Sequence, residues 1–289
     1  MRVDDMIVYF NGQFLAKTAV ALSPDDRGFL FADGVYEVVG TYNGKLFKAA
    51  EHFQRLRRSL REIRITGVDS IDFTAVAEDL LEKNNLKTGD AIVYLQITRG
   101  AAPRNHAFPD AATPPTVYAF AAPSQSSPRK MTDGVKVVLA PDLRWARCDI
   151  KSVALLPNVL AYQQARELGA DEAILVRNGV VTEGSRTNFA AVLDGQFVTH
   201  PQNNFILGGI TLNVVLELCR RLRIPVKEHA LAESDLKAAS EMMLLGTTTE
   251  ITPVVQVNDW RVGGGKPGPV ARMLQQAFRE LVKRDQRPP

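Results

Sequence analysis

The chain has 289 residues, of which 45% are hydrophobic and 23% charged, with 20 glycines and 16 prolines. That composition is that of a folded globular protein and excludes collagen-like, mucin-like and largely disordered classes, and the length predicts two domains or one large one. Thirty-five basic against 32 acidic residues leave a formal charge of +3, too small and too scattered an excess to predict a nucleic-acid partner.

The opening MRVDDMIVYFNG lacks the basic start and uninterrupted apolar stretch of a signal peptide, and no run approaches the ~18 apolar residues of a membrane span, so a cytoplasmic protein without a membrane partner is expected. Residues 6–10 (MIVYF), Asn11-Gly12 and QFL predict a hairpin, because Asn-Gly supplies the positive φ angles of a type I′ turn. VYEVVGTY, Asn43-Gly44 and KLFKA predict a second, feeding a helix in EHFQRLRRSLREIRI, where apolar residues recur at helical spacing. Residues 72–85 repeat that spacing, and AIVYLQITRG and TVYAFAAP read as strands rich in β-branched and aromatic residues. PSQSSP (123–128) has the composition of an exposed connection. We therefore expect a smaller N-terminal α/β domain over 1–122, a linker over 123–134 and a larger domain over 135–289. In the second half VKVVLAP is a strand, RWARCDIKSVA is irregular, and LPNVLAYQQARELGA is a helix. Asn178-Gly179 and Asp194-Gly195 mark two further hairpins, TLNVVLELCRRL and PVARMLQQAFRELVKR are helices, and the βαβ rhythm of a Rossmann sheet is absent.

Several groups could carry chemistry. VGGGKPG (262–268) lacks phosphate-loop spacing and reads as a turn. LGGIT (207–211) is either a helix N-cap satisfied by Thr211 or a seat for an anion on unpaired N–H groups. Thr247, Thr248 and Thr249 either line a site or end a strand. Lys151 lies among apolar residues, semi-buried, as an amine nucleophile or a plain surface charge. Glu183 either caps backbone N–H groups or faces a ligand. Arg104 and His106, in a proline-bounded loop, either clamp a carboxylate or are merely exposed. Cys148 and Cys219 have no disulfide or metal-ligand spacing, which fits a reducing compartment, and no metal is expected.

Taken in order, DRGFLFADGVYEVV, EHFQRL, ITRGAAPRNHAFP, RWARCDIKSVALLPNVLA, VTEGSRTNFA, HPQNNFILGGIT and TTTEITPV resemble the fold-type IV pyridoxal-phosphate aminotransferases, and the D-amino acid aminotransferases of bacteria in particular. The resemblance runs from about residue 6 to the final helix. It implies an α/β (α+β) fold of two mixed domains with the active site between them, pyridoxal 5′-phosphate as cofactor, and ping-pong transamination between D-amino acids such as D-alanine or D-glutamate and 2-oxo acids such as 2-oxoglutarate or pyruvate. It makes Lys151 the catalytic, cofactor-bearing residue and Glu183 the partner of the pyridine nitrogen. It assigns the phosphate to Arg55, Ile210, Thr211 and Thr248, and one face of the ring to Leu207. The substrate carboxylate falls to Arg104, His106 and Tyr36, with the loop of the first two reaching over from the second subunit of a homodimer. The same fold also houses branched-chain L-amino acid aminotransferases, R-selective amine transaminases and aminodeoxychorismate lyases. Arg186 and Pro157 depart from the pattern, each standing where a small residue is usual. Arg186 either alters substrate reach or points to solvent. His52, His200 and His229 receive no role in the chemistry.

Overall fold

The computed structural model describes residues 6–124 and 127–286. The chain divides into two compact units, one of residues 1–125 with 150–154 and the other of 126–149 with 155–289.

In the first unit, β1 (Ile7–Phe10) and β2 (Gln13–Ala16) form the expected hairpin, with Asn11 and Gly12 at φ of 46° and 89°. Next comes α1 (Arg27–Phe31), a single short turn of helix without a periodic signal, capped by the Asp26 side chain on the Gly28 N–H. β3 (Gly34–Tyr42) turns at Asn43-Gly44 into β4 (Lys45–Leu46), and α2 (Ala49–Glu62) follows. α3 (Phe73–Lys83) starts at Asp72, whose carboxylate accepts from the N–H groups of Thr74 and Ala75. β5 (Ala91–Thr98) and β6 (Thr116–Pro123) complete an antiparallel sheet in the order β2-β1-β6-β5-β3-β4. Alternation buries Val35, Val39, Leu95 and Ile97 on one face, against Phe53, Leu56 and Leu60 from α2 and Leu80 from α3. Each such side chain contributes roughly 1.5–3 kcal/mol on leaving water.

The second unit opens with α4 (Pro128–Asp133), started by Ser127 and a proline in its first turn, inside the stretch expected to be linker. Residues 125 and 126 of that stretch, like residues 1–5 of the opening, lie outside the described residues. β7 (Val135–Pro141), α5 (Leu156–Glu167), β8 (Glu172–Arg177), β9 (Val180–Gly184), β10 (Asn188–Leu193), β11 (Gln196–Thr199), α6 (Ile210–Arg221) and β12 (Val226–Glu228) come next. β13 (Glu241–Gly246), β14 (Glu250–Val257), β15 (Trp260–Arg261) and α7 (Pro269–Asp285) close the unit. The sheet runs β12-β11-β10-β13-β14-β7-β8-β9 with β15 on β14. β7 is parallel to both β14 and β8, and β12 to β11, while the other pairs are antiparallel. Two helical crossovers, β7-α5-β8 and β11-α6-β12, are thus present. They are separated by hairpins, so no repeating rhythm reaches the sequence. Residues 262–268 are a turn, Gly263 and Gly265 taking φ of 51° and 69°. No helix of the described residues is long and apolar enough to cross a membrane. The α/β (α+β) class stands, with one antiparallel and one mixed sheet.

The lysine-bearing segment departs from the expected division. Residues 150–154 group with the first unit and not with 135–289. Ile150 is buried in the core of the first unit, and the Tyr36 N–H donates to the Lys151 carbonyl at 3.0 Å. The Val153 N–H donates to the Gly34 carbonyl at 3.1 Å, which lays the segment along β3 with Val35 opposite Ser152.

Candidate functional site

In the first unit Lys151 is half-buried, as its apolar neighbours predict, and its backbone N–H donates to the Ser59 hydroxyl at 3.2 Å. Fixed at both ends in this way, it carries its Nζ to 4.3 Å from the centre of the Tyr36 ring. Tyr36 stacks in turn on Tyr94, ring centres 5.6 Å apart, and Tyr94 on Phe120 at 5.1 Å. The hydroxyl of Tyr94 donates to Gln96 Oε1 at 2.7 Å.

Arg55 is almost fully buried and grips Glu37 with two parallel hydrogen bonds, Nε to Oε2 at 2.9 Å and Nη2 to Oε1 at 2.6 Å. His52 Nδ1 lies 3.0 Å from the same Oε1. Glu37 has no exposure at all. Burial pushes its carboxyl up, but the charge of Arg55 and the hydrogen bonds from His52 and Arg55 outweigh that and hold it well below the usual carboxylate range. His52 is lowered, burial first, against the pull of Glu37. Sequence reasoning missed Glu37 and gave His52 no role, although a signal existed. Position 37 has the same strand phase as the core residues Val35 and Val39, so its carboxylate must be buried and must find cations. Three residues apart on a helix, His52 and Arg55 lie on one face.

Arg104 and His106 are exposed and are brought together around one ring. Arg104 Cζ lies 5.0 Å from the centre of Phe31 and the His106 ring centre 5.3 Å from it. Tyr36 has its ring contact with Tyr94 and is not part of this group.

In the second unit the carboxylate of Glu183 is buried at the end of β9 among N–H donors. Arg144 Nη1 reaches Oε1 at 2.5 Å, Asn188 Nδ2 reaches Oε2 at 2.8 Å, and the Leu207 backbone N–H lies 3.1 and 3.2 Å from the two oxygens. Arg144 is itself oriented by Asp142, with Nε to Oδ1 and Nη2 to Oδ2 both at 2.9 Å. Asp142 also meets Arg177 at 3.1 Å and accepts from Thr182 at 2.9 Å. Burial raises its carboxyl, and the hydrogen bond and charge of Arg144 outweigh this and bring it down to about 2. Such a set of donors fits a charged carboxylate that must keep one orientation. Arg144 and Asp142 sit in or next to irregular chain, where no periodicity marks them.

Asn188 Nδ2 also donates to the Leu207 carbonyl at 2.8 Å, which ties β10 to the approach of α6. α6 begins at Gly209 with φ −71° and ψ 132°, and no side chain caps it. Thr211 is buried in its first turn with Ile210, so the N-cap alternative for the Thr211 hydroxyl is not realised. A Cβ on Gly209 would stand 1.8 Å from Asn188 Oδ1. Thr248 is exposed in the turn between β13 and β14. Uncapped N–H groups at a glycine-led helix start suit an anion.

Of the departures, Arg186 is half-exposed over the Tyr162 ring at 4.4 Å, with its Nε 3.4 Å from the buried Glu172. Pro157 lies in the first turn of α5, where a missing N–H costs nothing. His200 is buried with Nδ1 2.9 Å from the Pro201 carbonyl, and His229 is exposed.

The family description amino-transferase class IV matches residues 34–257. Among curated proteins, the D-alanine aminotransferase of Staphylococcus haemolyticus is 42% identical over 277 residues, covering 96% of this chain and 98% of that one. The D-alanine aminotransferase of Bacillus licheniformis is 39% identical over 278 residues, covering 96% and 97%. Among solved structures, the branched-chain amino acid aminotransferase of Escherichia coli superposes with a TM-score of 0.86 at 29% identity, covering 96% of this chain and 94% of that one.

Proposed function

Because the chain belongs to the class IV aminotransferases, an α/β family of pyridoxal 5′-phosphate enzymes, we propose that it moves an amino group between D-amino acids and 2-oxo acids in a ping-pong cycle. D-Alanine and D-glutamate are the donors of this reading, and 2-oxoglutarate and pyruvate the acceptors. The observation that carries it is the pairing of Arg104 and His106 on one ring, in a chain that is 39–42% identical to D-alanine aminotransferases over 96% of its length.

The residues present fit the cofactor. α6 starts at an uncapped glycine packed against Asn188, and the Glu183 carboxylate is buried and held by N–H donors. When bound, the cofactor supplies a ring that accepts the electron pair left as the α-hydrogen departs. In this reading Lys151 bears the cofactor and moves the proton at the substrate α-carbon. Glu183 keeps a proton on the ring nitrogen, and Arg144 and Asn188 hold it in place. Arg55, Ile210, Thr211 and Thr248 take the phosphate, a dianion suited to a guanidinium and a helix start. Leu207, whose N–H already meets Glu183, packs on the ring. Tyr36, Arg104 and His106 take the substrate carboxylate. The reading includes a homodimer, and the buried free thiols Cys148 and Cys219 suit a cytoplasmic setting.

A second reading, branched-chain L-amino acid transamination, draws on the TM-score of 0.86 to the Escherichia coli enzyme. One experiment separates the two. The visible spectrum of the purified holoenzyme is recorded before and after D-alanine, L-alanine and L-leucine. Loss of the lysine-bound band with D-alanine alone is expected, and Lys151→Ala should lack both the band and turnover. Loss of the band with L-leucine alone supports the second reading, and no band after cofactor addition sinks both.

A further inference from the structure

The loop that carries Arg104 and His106 is exposed, and an exposed loop does not by itself hold two side chains in one geometry. Here it is latched. Arg27, 4% exposed, donates from Nη1 to the carbonyls on either side of His106, those of Asn105 at 2.5 Å and Ala107 at 3.3 Å. Asp33 fixes Arg27 through Nε at 2.9 Å and takes two hydrogen bonds from Arg99, at 2.7 and 2.9 Å. Arg99 also lies 3.7 Å from the centre of the Phe108 ring, pinning the loop two residues further on. At the centre is Phe31, the last residue of α1. Arg27 lies over its ring at 4.8 Å and Arg104 at 5.0 Å, and His106 meets it at 5.3 Å. Both side chains of the clamp therefore rest on one ring, whose support is the guanidinium that also holds their loop.

We propose that Phe31, backed by Arg27, is a positioning residue for the carboxylate clamp, and that its ring sets the preference for donors bearing a carboxylate beside the transferred amine. This rests on the reading of Arg104 and His106 as the carboxylate-binding pair. A ring face attracts a guanidinium through the negative charge of its π cloud. It also restricts the rotamers of Arg104, which otherwise lose freedom on each binding event. An aliphatic side chain of similar size keeps the packing and lacks the π face.

The test is steady-state kinetics of holoenzyme with Phe31→Met, Phe31→Leu and Phe31→Tyr, using D-alanine and the carboxylate-free donor (R)-1-phenylethylamine, alongside binding of propanoate measured by calorimetry. For Met and Leu we expect KM for D-alanine and Kd for propanoate to rise together, up to about tenfold (one such step being ~1.4 kcal/mol). kcat for D-alanine and any rate with the amine should stay within about twofold. Tyr, which keeps the ring, should restore both constants. Unchanged constants in whichever aliphatic variant folds, an equal loss with both donors, or failure of Tyr to restore binding overturns the proposal. Arg104→Ala is run beside them. If it leaves turnover of D-alanine and Kd for propanoate unchanged, the clamp reading itself is what fails.

Discussion

A carboxylate sealed from water keeps its charge only where cations and donors surround it, and Glu37 meets that condition through Arg55 and His52. Replacing it by glutamine leaves a buried guanidinium facing a neutral amide. We expect Glu37→Gln to lower the unfolding free energy by about 3 kcal/mol, read by urea unfolding at pH 7. The same cluster fixes a pH dependence. The Glu37 carboxyl is held below its ordinary 4.5, so its stabilisation is present above that value and is lost as the pH falls below it. His52 is held below 6.5, so its contribution is complete above 6.5 and is also lost on acidification, as the buried imidazole is forced to charge near Arg55. Both signs agree. These two groups keep the melting temperature level between about pH 7 and 8, below the range in which the thiols of Cys148 and Cys219, both pushed up by burial, ionise in the unfolded chain, and lower it from about 6.5 downward, with a steeper fall below about 4.5. Glu172, raised above 4.5 by burial, has the opposite sign, so the acid limb is read in Glu172→Gln, where a melting temperature that rises between about pH 6.5 and 5 would contradict this account.

Among the elements, α6 depends most closely on one missing side chain. Gly209 has an ordinary φ, so an alanine there meets no backbone strain, and the difficulty is the Asn188 amide 1.8 Å from the new Cβ. Asn188 cannot swing aside freely, since its Nδ2 is bonded to both Glu183 and the Leu207 carbonyl. Gly209→Ala should therefore cost about 1–3 kcal/mol and displace Glu183 as well as the helix start. Equilibrium dialysis with the cofactor should show weaker retention, and a variant that binds as wild type would refute the coupling. This dependence also marks where the sequence stops being legible. Turns at Asn11-Gly12, Asn43-Gly44, Asn178-Gly179 and Asp194-Gly195, and the apolar periodicity of α2, α3, α6 and α7, are local signals, and all appear as elements. The parallel pairings of β7 with β14 and of β11 with β12 are set by contacts between distant segments, which no window of sequence contains. The residues proposed for the site divide in the same way. Lys151, Arg55 and Glu183 stand out by motif, whereas the groups that orient them could not be paired without knowing strand register and loop path. These are Glu37, 18 residues from Arg55, and Arg144, 39 residues from Glu183.

At the scale of the whole molecule, the second unit leaves an apolar helix face uncovered. Leu156, Val159 and Leu160 of α5 are 69%, 57% and 62% exposed, at the i, i+3, i+4 spacing of a single face. Water does not favour such a surface, and a second copy of the chain is the occupant that the proposed homodimer requires. Light scattering should give twice the mass of one chain, and Leu156→Glu with Leu160→Glu should shift the equilibrium toward the single chain. A stronger test asks whose loop serves which site. Lys151→Ala and Arg104→Ala should each be inactive with D-alanine. Suppose the loop with Arg104 completes the partner's site. A hybrid of the two variants then has one site with both an intact lysine and an intact arginine. Random pairing makes half the dimers hybrid, so a co-refolded equimolar mixture should recover about a quarter of wild-type activity by symmetry. If each loop serves its own subunit, every site in every dimer lacks one of the two groups, and the mixture stays as inactive as its components.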